Sequence, residues 1–126
     1  MTNSKAWPTE IRVSQDKRNL TIGFDNGERH EFTAEFLRVM SPSAEVQGHS
    51  PSQKQTVPGK REIGIMKVEP VGNYAVRITF DDMHDTGIYS WDYFRKLGAE
   101  REDLWSAYLA ELEEKGLSRD TARRVH

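Results

Sequence analysis

Cysteine is absent from this chain. That lack excludes disulfides, a thiolate nucleophile and any all-cysteine zinc or iron–sulfur site built from the chain alone. Long apolar runs are missing too. Nothing approaches the roughly 18 apolar residues of a membrane helix, and the opening MTNSKAWPTE has no apolar core of signal-peptide length. A soluble cytoplasmic protein with no membrane partner is therefore expected. There is no basic excess: 18 Lys and Arg face 20 Asp and Glu, with a pI near 6.1, which argues against a nucleic-acid partner. The sequence also lacks HExxH, GxSxG, a glycine-rich phosphate loop, heptads and internal repeats.

What is present is one domain's worth of chain. Its 126 residues are 36% hydrophobic and 30% charged, with a mean hydropathy of -0.77, so the core must be economical and the surface heavily solvated. After a polar arm over 1–9, Ile11 and Val13, then Leu20, Ile22 and Phe24, alternate with polar neighbours across a turn at Asp16. Period two on both sides of a short break predicts a hairpin. Asp25-Asn26-Gly27 then tolerates positive φ and leads into a third strand ending at Phe32. Thr33 is a plausible N-cap for a short helix carrying Phe36, Leu37 and Met40, which Ser41-Pro42 stops.

From Ser41 to Arg61 the chain is rich in Ser, Gln, Pro and Gly, with Val46 and Val57 as its aliphatic anchors, and reads as a mobile surface loop. Its Lys54, Lys60 and Arg61 read as solvated charges. Ile63, Ile65, Met66 and Val68 predict a strand in the middle of the sheet, ended by Pro70. Tyr74, Val76, Ile78 and Phe80 share one face of the next strand, the clearest period-two pattern in the chain. After an acidic turn and a return strand, Ser90 caps a helix from Trp91 to Leu97, with Gly98 as its stop. Leu104, Trp105, Tyr108, Leu109 and Leu112 then mark a separate amphipathic helix within 99–116, and the basic tail 117–126 is expected to fray.

The chemistry offered is sparse. His30, His49, His84 and His126 stand at no metal-ligand spacing. His84 alone is suggestive, because Asp81, Asp82 and Asp85 surround it, and carboxylates there would raise its pKa or share a cation. A metal-binding or iron–sulfur-related role would use His84 with these acids, or with His49 or His30 as a second imidazole. The bland alternative is a solvated acidic turn. Ser41, Ser43, Ser50 and Ser52 have no nucleophile context, so no catalytic residue and no enzyme activity is expected.

Three blocks in order, WPTEIRVSQDKRNLTIGFDNG, FLRVMSPSAEVQGH and VGNYAVRITFDDMHDTGIYSWDYFRKLG, resemble a family of small bacterial domains. That family, DUF971-like, is similar to the N-terminal domain of gamma-butyrobetaine dioxygenase, and the resemblance spans Trp7 to about Gly98. Related domains are found attached to Mrp-type iron–sulfur carriers, which implies an accessory role. In the dioxygenase this domain holds a structural zinc through three cysteines and one histidine. The resemblance lays Ser41, Ser43 and Val46 on the cysteines and His84 on the histidine, so it implies the fold and the loss of the zinc site. No cofactor is expected. Met83 stands where the family often has glycine.

The fold expected is α+β: a mostly antiparallel sheet of about six strands with short packed helices and a C-terminal amphipathic helix, the family domain occupying 10–98. The function expected is a non-catalytic accessory or protein-interaction module. Its candidate contact residues are Ser41, Ser43, His49, His84, Tyr89, Trp91 and Tyr93, and its partner is another protein.

Overall fold

A computed structural model describes residues 6–48 and 54–120. Among these, six strands form two antiparallel three-stranded meanders, so the architecture is α+β with its strands shared between two sheets. The first sheet comprises β1 (Pro8–Val13), β2 (Asn19–Phe24) and β3 (Arg29–Thr33); the second comprises β4 (Ile65–Val71), β5 (Ala75–Phe80) and β6 (Gly87–Ser90). Helices α1 (Ala34–Val39) and α2 (Ala44–Gln47) lie between the sheets in sequence, and α3 (Trp91–Glu114) follows them. None of the described helices is long and apolar enough to cross a membrane.

The turns form where residue chemistry allows them. Asp16 accepts the Ser14 hydroxyl and the Arg18 N–H, and holds Lys17 at φ 67°. Gly27, at φ 93°, closes the next turn beside Asn26. Thr33 caps α1 by accepting the Phe36 N–H at 3.0 Å, and Ser90 caps α3 by accepting that of Tyr93 at 3.1 Å.

The central strands β2 and β5 supply Leu20, Ile22, Phe24, Val76, Ile78 and Phe80 to the core. Aromatic contacts join the two sheets through α3. Phe32 stacks on Phe36 at 5.7 Å and on Phe94 at 6.1 Å, and Phe94 stacks on the fully buried Tyr89 at 5.6 Å. Each such ring removed from water contributes roughly 1.5–3 kcal/mol.

Five expectations are corrected. Tyr74 belongs to the β4–β5 turn and is 54% exposed, so it is not on the buried face of β5. β4 lies at an edge rather than in the middle of its sheet, and it continues through Pro70, whose missing N–H an edge strand tolerates.

Gly98 does not stop a helix: α3 runs unbroken from Trp91 to Glu114. Its buried residues Phe94, Leu97, Tyr108 and Leu112 continue one apolar stripe past the glycine. The absent side chain makes room for His30, which stacks on Phe32 at 6.0 Å.

The stretch after Ser41 is not a featureless loop. Ser43 caps α2, Gln55 N–H donates to Val46 C=O at 2.7 Å, and the Tyr108 hydroxyl donates to Val57 C=O at 2.6 Å. Residues 49–53, His49 included, lie outside the described residues. The described part of the tail, 117–120, is tied back to the chain. Gly59 N–H donates to Ser118 C=O at 2.9 Å and Arg61 N–H to Arg119 C=O at 3.0 Å, while Arg119 grips the buried Glu35 with two hydrogen bonds and lies 5.2 Å over Trp105. His126 and its neighbours over 121–126 are outside the described residues.

Candidate functional site

The polar cluster of interest forms where the end of α1 meets the β5–β6 turn. Ser41 follows the C-cap of α1, Ser43 caps α2, and His84 sits in the turn after β5. The Ser41 Oγ lies 2.9 Å from His84 Nε2, and His84 Nδ1 lies 3.1 Å from Glu45 Oε1. The neutral tautomer that satisfies both contacts donates Nδ1–H to Glu45 and accepts the Ser41 hydroxyl at Nε2. The Ser41 oxygen in turn accepts the Ser43 N–H at 3.2 Å. Ser43 Oγ bonds Thr86 Oγ1 at 2.6 Å, and Gln47 donates to Ser41 C=O at 2.8 Å.

The acidic turn is put to other uses than expected. Asp82 accepts Arg38 at 2.8 Å, Lys60 at 2.6 Å and the His84 N–H at 3.0 Å. Although burial pushes its pKa up, the hydrogen bonds from Lys60, the His84 backbone and Arg38 outweigh that and hold it at about 2. Asp81 accepts the Gly64 N–H at 3.1 Å, and Asp85 is exposed. The expected net rise in the pKa of His84 is therefore corrected to a net fall. Burial lowers it, the Arg38 charge lowers it further, and Glu45 and Asp82 only partly oppose them. Lys60 and Arg61 are not merely solvated either, since Lys60 pairs with Asp82 and Arg61 with Asp120.

Two tyrosines close the cluster from behind. The Tyr89 hydroxyl donates to Leu37 C=O at 2.5 Å and that of Tyr93 to Met40 C=O at 2.6 Å, satisfying carbonyls at the open end of α1. Burial raises the Tyr89 phenol well above its ordinary value, with the Ser41 hydroxyl pulling the other way, and raises that of Tyr93 to about 12.

Of the candidate contact residues, Ser41, Ser43, His84 and Tyr89 are all buried in the folded domain, Ser41 and Tyr89 completely. Val46 is buried in α2, and Trp91 is half-buried with its Nε1–H donated to Asn73 C=O at 3.0 Å.

In order of atoms, Ser41, His84 and Glu45 reproduce the nucleophile–base–acid sequence of a hydrolase triad. Access is what they lack. Ser41 is fully buried, and the backbone of β6 covers it so closely that a Cβ on Gly87 would stand 2.5 Å from its Oγ.

The family model for gamma-butyrobetaine hydroxylase-like N-terminal domains matches residues 11–95. The chain belongs to that family. Two solution NMR structures are similar to the chain: one is 41% identical with a TM-score of 0.80, over 97% of this chain and 96% of the other. The second is 42% identical with a TM-score of 0.79, over 100% and 98%. A crystal structure of a DUF971-family protein of unknown function from Acidithiobacillus ferrooxidans is 39% identical, with a TM-score of 0.62 over 74% of this chain and 93% of its own. No curated protein matches the chain.

The zinc implied by the dioxygenase resemblance does not suit these residues. At the positions laid on its ligands stand two hydroxyls, one valine and one imidazole, and both imidazole nitrogens already have partners. Arg38 adds positive charge beside them, and its buried Nη1 has no partner among the described residues. No group of three or more His, Asp and Glu converges there or elsewhere among the described residues.

Two residues of the cluster escape a reading of the sequence. Glu45 is the carboxylate that actually faces His84, and its signal was the N-cap Ser43 two positions earlier, hidden in a stretch whose composition reads as loop. Arg38 reaches Asp82 across 44 positions of sequence, which leaves no local pattern.

Proposed function

We propose that this domain is a non-catalytic accessory module that works by binding another protein, with the Ser41–His84–Glu45 chain acting as an internal clasp. The burial of Ser41 carries this reading: a serine nucleophile needs a reacting carbonyl beside its Oγ, and β6 occupies that space. Fully paired polar groups of this kind hold segments in register. Here the segments are α2 and the β5–β6 turn. The resemblance to domains that serve attached to larger proteins supports the accessory role.

The test has two arms. Purified protein is incubated with activated acyl esters and a fluorophosphonate probe, and the expected result is no labelling of Ser41 and no turnover. Turnover that disappears in Ser41→Ala overturns the non-catalytic reading. In the second arm, cross-linking and sizing from the native cell are expected to place the chain in a complex with a protein partner. Migration at its own mass under both conditions overturns the interaction reading.

A further inference from the structure

Two of the exposed large apolar side chains, Trp7 (45% exposed) and Tyr74 (54%), converge on one half-open pocket of about 170 Å³ with the half-buried Trp91. Folding does not account for leaving an indole and a phenol ring in water at the same place, since each buries apolar area wherever the core admits it. The segments bearing these rings are fixed. Trp7 N–H donates to Asp25 Oδ1 at 3.2 Å, and Asp25 N–H returns to Trp7 C=O at 2.8 Å. Trp91 is tied through Nε1–H to Asn73 C=O at 3.0 Å and through its backbone N–H to Tyr74 C=O at 3.2 Å. The Tyr74 ring lies against Gly72, where a Cβ would come within 3.2 Å of it.

Among the described lining residues the formal charge is negative. Among the described residues Asp92 is the only ionisable lining residue besides the tyrosine, and none of the described Lys, Arg or His lines the wall. Its carboxylate also answers the positive end of the α3 dipole. Ring faces carry negative potential and attract cations, and a carboxylate at the rim adds to that attraction. We propose that Trp7, Tyr74 and Trp91, with Asp92 at the rim, form a binding site for a methylated ammonium group. Full methylation suits this wall: the methyl groups spread the charge over the apolar surface these rings supply, and a quaternary nitrogen has no N–H bonds needing acceptors. The site shares no residue with the Ser41–His84 cluster, and the proposal does not depend on the accessory reading.

The test is an NMR titration of the ¹⁵N-labelled full chain, following the indole N–H signals of Trp7 and Trp91. Tetramethylammonium and choline are expected to give saturable shifts. The neutral choline isostere 3,3-dimethylbutan-1-ol is expected to bind at least about tenfold more weakly, which corresponds to about 1.4 kcal/mol of cation recognition. Trp7→Ala and Tyr74→Ala, each with an otherwise retained spectrum, are expected to lose the saturable shifts, and Asp92→Asn to weaken them about threefold or more.

A peptide carrying trimethyl-lysine separates the two sources of the group. Tighter binding than choline assigns the site to a modified protein tail, and weaker binding to a free small molecule; both support a methylammonium site. Equal affinity for the neutral isostere, shifts that survive in Trp7→Ala, or no saturable shift with tetramethylammonium overturns it.

Discussion

A Cβ placed on Gly98 would stand 2.3 Å from Nδ1 of His30 and 2.7 Å from its Cγ. The imidazole stacks on Phe32, and its Nε2 meets Glu28 Oε1 at 3.3 Å, so the ring root has little room to retreat. Helix propensity alone favours Gly98→Ala by about 1 kcal/mol, whereas overpacking costs about 1–3 kcal/mol. The expected outcome is net destabilisation in urea unfolding, partly recovered when His30→Ala is added. A gain in stability from the single variant would show that α3 and β3 are not in this contact.

Met83 sits at φ 74° with 71% of its surface exposed, in the turn leading to His84. A side chain at positive φ costs on the order of 1 kcal/mol, and little burial is lost on removing this one. Met83→Gly is therefore expected to raise the urea midpoint by an amount equivalent to about 0.5 kcal/mol, the greater freedom of the glycine variant's unfolded chain offsetting part of the relief. An unchanged or lowered midpoint would contradict the strain.

Stability should fall in two stages on acidification. The pKa of His84 is depressed from its ordinary 6.5, so the unfolded chain takes up this proton first; the contribution is complete above 6.5 and is lost as pH falls below it. Asp82 falls from 3.8 to about 2, so its contribution, of order 2 kcal/mol, is complete above 3.8 and is lost on the way down to about 2. Urea midpoints measured from pH 8 to pH 2 should show His84→Gln flattening the upper stage. Asp82→Asn should flatten only part of the lower one, because Glu28, held by Arg95 at about 2, titrates in the same range.

Arg119 makes hydrogen bonds of 2.7 and 2.8 Å to Glu35, whose side chain is only 6% exposed. Arg119→Ala leaves a buried carboxylate without its cation and is expected to cost at least about 2 kcal/mol. The pair Glu35→Met with Arg119→Leu should cost less than the single change. Equal losses in both would mean the ion pair itself, rather than the stranded charge, sets the penalty.

Much of the architecture could be read along the chain because it is written in local chemistry. The alternation in β2 and β5 and the caps Thr33 and Ser90 each announce an element within a few residues. What escaped was decided by distant neighbours. Gly98 looks like a helix stop until His30 is placed beside it, and Tyr74 shares the period of β5 but lies in its turn. The stretch after residue 54 looks loose because its anchors are backbone carbonyls, such as that of Val57 under Tyr108, which leave no trace in residue type. For the cluster, His84 stood out among its aspartates, yet the carboxylate that faces it is Glu45.

The Ser41–His84 and Arg38–Asp82 bonds join residues 43 and 44 positions apart, whereas the hairpin ladders of both sheets close short loops. Contacts of long sequence separation must wait for the chain entropy of closure to be met, so they form late. The clasp is therefore expected to slow the opening of the native state more than it speeds its formation. In a chevron series, Ser41→Ala should steepen nothing and slow refolding little, while raising the unfolding rate by most of its stability loss. The junction of α1 with the β5–β6 turn then contributes to the persistence of this domain against proteases or heat, together with the still longer-range pairs Arg119–Glu35 and Tyr108–Val57.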